Sequence, residues 1–142
     1  MSGCAVLLHG APVAWSARKQ SLIALSTAEA KYIALTSVAH EVLYVKALIG
    51  ELYEPITSPI PIYCDNQGAI ALASNDKFHV RTKHIDLRYH FVRELIRDGT
   101  LDLKYIPTND NLADAFTKAL PRPRLEMLRS NMSVDCARGG VL

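Results

Sequence analysis

Between Ser26 and Tyr53, apolar side chains recur at Ala28, Tyr32, Leu35, Ala39, Val42, Ile49 and Leu52, in steps of three, four and seven. That period lays them along one face of a long α-helix, and such a stripe has to be buried against other elements. The remainder of the chain must therefore supply a surface that covers it.

Strands and shorter helices are the material on offer. "CAVLLHGAPVAWSA" (Cys4 to Ala17) reads as two strands bent at Gly10-Ala11-Pro12, because Gly and Pro interrupt a β-favouring run. "EPITSP" closes the long helix and leads into a strand, "IPIYCD", which turns at once into a short helix from Asn66 to Ala73. "HIDLRYHFVRELIRDG" places Ile85, Tyr89, Val92 and Ile96 on one helical face, with Gly99 as its stop. "LDLKYIP" alternates as a half-buried strand and ends at Pro107. Asn109 is the expected N-cap of a further short helix in "TNDNLADAFTKAL", and "PRPRLEMLRSNM" is a candidate for one more. With that candidate left uncounted, the order β, β, α, β, α, α, β, α predicts an α/β fold, a mixed sheet with helices packed on it. The expected domain is 1–132, followed by a flexible tail, 133–142.

Composition agrees with a packed core: 49% of the 142 residues are hydrophobic and 21% are charged. The formal net charge of +2 names no partner, but the charge is uneven. Lys77, Arg81, Lys83, Arg88, Arg93 and Arg97 face only Asp86 and Glu94 within one window, together with His79, His84 and His90. Such a segment suits a phosphate backbone, and it equally describes a solvated helix face. Cys4, Cys64 and Cys136 are odd in number and widely spaced, which fits neither a disulfide framework nor a zinc motif. With no signal pattern and no apolar run of about 20 residues, the expectation is a soluble, intracellular protein of cytoplasm or nucleus.

Three acids stand at element ends: Glu29 in the first turn of the long helix, Asp65 at the end of a strand, and Asp114 in a late short helix. Carboxylates gathered on one rim repel unless a divalent cation lies among them, and hard oxygen donors favour Mg²⁺ or Mn²⁺. Each acid also has a plainer role. Ser26-Thr27-Ala28-Glu29 matches a capping box, Asp65 with Asn66 suits a turn, and Asp114 suits the positive end of a helix dipole.

"WSARKQSLIALSTAEAKYIAL", "IYCDNQGAIALA", "RTKHIDLRYHFVRE" and "YIPTNDNLADAFTKALP" together resemble the ribonuclease H domain of copia-type LTR retrotransposon Pol polyproteins, over nearly the whole chain and in the same order. The resemblance implies a ribonuclease H-like fold, a mixed sheet flanked by helices. It implies hydrolysis of RNA in RNA:DNA hybrids with two Mg²⁺ or Mn²⁺ ions, and the reverse transcriptase portion of the parent polyprotein as a partner. By position, Glu29, Asp65 and Asp114 match the family's second, third and fourth metal-binding acids, and Arg81, Lys83, His84 and Arg88 fall where contacts to the hybrid backbone are expected.

The match breaks at the beginning. Family members open with a strand bearing the first metal-binding Asp, and this sequence begins inside what resembles their second strand. The expectation is a missing central strand, exposed edges on the strands that flank it, marginal stability, and weakened or lost cleavage. The alternative is a catalytically dead remnant that binds nucleic acid or a protein. Lys31 replaces an acid often seen in the family and is expected to lie outside the site. An integrase-like core of the same broad fold is disfavoured by order, since its Glu comes last and Glu29 comes first.

Overall fold

The computed structural model of the chain describes residues 2–20, 26–74 and 83–134. Its elements are β1 (Ser2–Leu8), β2 (Ala11–Arg18), α1 (Thr27–Leu52), β3 (Ile60–Cys64), α2 (Gln67–Ser74), α3 (Lys83–Arg97), β4 (Leu101–Tyr105), two 3₁₀ turns (Thr108–Asp110 and Leu112–Phe116) and α4 (Arg122–Asn131). This is a mixed α/β arrangement in the order the sequence predicts.

The hairpin turns one step earlier than expected. His9 and Gly10, with φ of 50° and 82°, make the two-residue connection, a left-handed pair that matches the twist of paired strands. Ala11 and Pro12 belong to β2, where a bulge opposite Val6 and Leu7 accommodates the extra residue. Pro12 lacks an N–H to donate, which an edge strand tolerates.

The long helix starts and stops where the pattern predicts. Ser26 is its N-cap, its hydroxyl accepting from the Glu29 N–H at 3.1 Å, and Tyr53 closes it. Tyr32, Leu35, Ala39 and Val42 of the stripe are buried; beyond Val42 the helix emerges, and Leu52 is exposed. By length and composition α1 is apolar enough to cross a membrane. In the fold it is the central core helix: its stripe packs with Ile62, Ala73, Tyr89, Val92 and Leu101 from four other elements. The Tyr32 ring stacks on Tyr89 at 3.9 Å, and its buried hydroxyl donates to the Tyr89 carbonyl.

The strands do not form one sheet. β1 and β2 pair antiparallel, β3 and β4 pair parallel, and no ladder among the described residues joins the two pairs. A cleft of about 570 Å³ lies between β1 and β3, backed by α1. Consecutive residues of both strands, Ser2 to Leu7 and Ile60 to Asp65, line it. Successive side chains of a strand point to opposite faces, so a cleft that touches all of them opens on strand edges. Two strand edges therefore face one gap.

The end of the chain differs in detail. Asn111, not Asn109, caps the turn that carries Asp114, its side-chain oxygen accepting from the Ala113 N–H at 3.1 Å, and the segment is 3₁₀ where an α-helix was expected. α4 follows Pro121 and packs Leu128 into the interior. Of the expected tail, Ser133 and Val134 still bond back to α4, and the remainder lies outside the described residues.

Candidate active site

Asp65 follows the last residue of β3, so its side chain leaves the strand at one end of the cleft. It is not the turn former: the Asn66 side chain caps α2 by accepting from the Ala69 N–H at 2.8 Å, which frees Asp65 for another partner. That partner is Lys31, whose Nζ stands 2.7 Å from Oδ1; the carboxylate is 7% exposed and the lysine 37%. Burial pushes the Asp65 carboxyl up, but the Lys31 hydrogen bond and charge outweigh it and hold the group below the usual carboxylate range, assisted by the Asn111 side chain. The expectation that Lys31 stands outside the site is thus corrected: α1 points it into the cleft.

Asp114 reaches the same cleft from the second 3₁₀ turn. Its side chain is 4% exposed and both oxygens are taken, Oδ1 by Lys118 Nζ at 2.9 Å and Oδ2 by the Arg124 guanidinium at 3.0 Å. Arg124 also donates to the Thr108 carbonyl and the Asn109 side chain, so α4 clamps the turn from outside. From inside, Gly3 of β1 lies against it: a Cβ there would collide with Thr117 and crowd Ala113 O and Phe116 Cβ, each at 3.2 Å. Asn111 ties the two acids together, assisting Asp65 with its side chain while its carbonyl accepts from the Asp114 N–H at 3.2 Å. A polar chain therefore runs Lys31, Asp65, Asn111, Asp114, Lys118 along one end of a mostly apolar cleft.

Glu29 is buried at the start of α1, does not line the cleft, and its charge bears on Tyr89 of α3. The structure thus brings Asp65 and Asp114 together without Glu29. Among the described residues no group of three or more His, Cys, Asp or Glu side chains lies close enough together to hold a metal ion. The donors are of the right chemical kind for a hard divalent ion, but both carboxylates in the cleft are already bonded to cations of the chain itself. As arranged, the residues do not fit the two-ion site that the resemblance implies.

The basic segment is only partly described. Arg81 lies outside the described residues, as do the side chains of Lys83 and His84, whose backbone opens α3. Arg88 is half-buried on α3. Arg93 does not serve an open basic face: its guanidinium donates twice to the Leu72 carbonyl, at 2.9 and 3.3 Å, and lies 5.6 Å from the Tyr89 ring centroid, binding α3 to α2. Cys4 and Cys64 are free and buried, and Cys136 lies outside the described residues. The partners that sequence reasoning missed are Lys31, Lys118, Arg124 and Asn111. Only Lys118 left a signal, since it stands four residues after Asp114, the spacing of a helical ion pair.

Fold and site together define a mixed α/β unit with two acids and their counter-cations at the mouth of a strand cleft. The homologues of this chain are retrotransposon Pol polyproteins. It is 40% identical over 128 residues, 90% of its length, to the retrovirus-related Pol polyprotein from transposon TNT 1-94 of Nicotiana tabacum. To those from transposons RE1 and RE2 of Arabidopsis thaliana it is 38% identical over 94% and 40% identical over 99% of its length. It spans only about a tenth of each of these relatives, 9–10%. No family model and no solved structure matches the chain.

Proposed function

We propose that the chain is a ribonuclease H-like module of a copia-type Pol polyprotein, and that it acts on RNA:DNA hybrids, hydrolysing the RNA strand weakly because its acids are not fully assembled. The observation that carries this reading is the meeting of Asp65, from a strand end, and Asp114, from a turn near the other end of the chain, in one cleft. Homology to Pol polyproteins supports the retrotransposon origin, and the four sequence blocks support the choice of module. Glu29 is the third acid of the proposed set. Mg²⁺ or Mn²⁺ is the cofactor of this reading, and the reverse transcriptase portion of the polyprotein its natural neighbour.

The test is incubation of the purified chain with a labelled RNA:DNA hybrid in Mg²⁺ or Mn²⁺, beside Asp65→Asn and an RNA duplex control. Cutting confined to the RNA of the hybrid and lost in Asp65→Asn is the expected result. Equal cutting of the duplex, or unchanged cutting by the variant, overturns the reading. The ion pairs on both acids favour a second reading, a module that binds hybrid and does not cut it. A folded chain that binds hybrid and leaves it intact in both metals assigns that one.

A further inference from the structure

The two carboxylates of the cleft are buried and the ammonium groups paired with them are not. Asp65 and Asp114 are 7% and 4% exposed, whereas Lys31 and Lys118 are 37% and 52% exposed. A ligand entering this end of the cleft meets nitrogen before oxygen. Each lysine carries three N–H donors, and the structure gives each one carboxylate oxygen, at 2.7 and 2.9 Å. Arg124 adds a third cation behind Asp114, so three positive groups stand against two negative ones. A divalent cation finds here acids whose charge is already answered, while an anion finds two anchored donors in a net positive field.

We propose that Lys31 and Lys118 form a phosphodiester-binding site at the polar end of the cleft, one that grips a nucleic-acid backbone without a divalent ion. The inference rests on the reading of the chain as a module for RNA:DNA hybrids and assigns that module backbone contacts outside the basic segment of α3. The acids hold the ammonium groups at the mouth of the cleft, but the charge they withhold from an incoming phosphate outweighs the ordering they provide. Phosphate contacts of this kind carry no sequence information, so binding is indifferent to base order.

Fluorescence anisotropy of a labelled RNA:DNA hybrid, titrated with the full chain in EDTA over a range of salt, reads the site directly. Lys118→Gln is the first variant, because Asp114 keeps Arg124 and no buried charge is orphaned. Its expected affinity is about tenfold weaker, with a log–log salt slope shallower by about 0.9, the loss of one phosphate contact. Asp65→Asn releases Lys31 from its carboxylate and removes a negative charge, so hybrid binding in EDTA tightens; pairing it with Lys31→Gln removes both charges, and binding falls below that of the unaltered chain. Circular dichroism confirms that each variant is folded. Unchanged affinity in Lys118→Gln, or weaker binding in Asp65→Asn alone, overturns the proposal. Binding that appears only when Mg²⁺ is added overturns it too, while leaving the functional reading standing. A folded chain that binds no hybrid with or without metal overturns both.

Discussion

Asp65 has an ammonium 2.7 Å from one oxygen and little water around it, so its charge depends on Lys31. Replacing Lys31 by Met leaves a buried carboxylate without its strongest donor, a loss of about 1–3 kcal/mol, to be read from urea unfolding at neutral pH. Its acidity gives a second expectation. Because the folded carboxyl is held below its unfolded value, about 3.9, the proton binds the unfolded chain more readily. The stabilisation is complete above that unfolded value and is lost as pH falls through the lowered folded one. Unfolding free energy should therefore decline as pH falls below about 5, and the decline should be shallower in Asp65→Asn. At this scale the sequence showed the acids and hid their partners. Asp65 is visible because it breaks an apolar strand, but Lys31 lies 34 positions away in the chain and nothing local marks the pair. Only the fold of α1 against β3 makes them neighbours.

Elements were legible wherever a period or a cap repeats a local rule. The stripe of α1 needs no knowledge of its neighbours, and Ser26 confirms its start by bonding the Glu29 N–H. Ser26→Ala should lower stability by about 1 kcal/mol, measurable as a shift of the urea midpoint with unchanged slope. The same bond makes Glu29 part of a helix start, whatever its chemistry. What local rules missed was set by packing. Asn109 and Asn111 are both good caps on paper, and the choice falls to Asn111 because Asn109 is drawn to Arg124 of α4. Gly3 is similar: a flexible residue by type, it is required because β1 and the Asp114 turn approach too closely for a side chain. Gly3→Ala should cost about 1–3 kcal/mol and shift the turn. Methyl and amide NMR signals of 112–117 should move in that variant, while those of α2 and α3 stay in place.

At the scale of the whole molecule, β1 packs on α1 while β3 and β4 pack on α2 and α3, and β1 and β3 keep edges that open on a shared cleft. Unpaired N–H and C=O groups beside apolar side chains template pairing with other chains. Among the described residues no ladder spans the gap. The order of elements could be read from sequence, while the gap is set by how the two strand pairs pack. Its consequence depends on whether flanking side chains blunt the edge. They do not: Leu7 and Leu8 of β1 are among the exposed apolar residues, and the Ser2–Leu7 edge carries no charge. The chain should therefore aggregate on warming before it unfolds. Static light scattering should rise at a temperature below the circular dichroism midpoint, earlier at higher protein concentration. Leu7→Lys places an ammonium on that edge, where like charges on two chains repel each other. It should raise the scattering onset while leaving the unfolding midpoint within a few degrees, because Leu7 lies outside the buried cluster. An onset that does not respond to Leu7→Lys would place the aggregating surface elsewhere, for which the exposed Trp15 of β2 is the next position to charge.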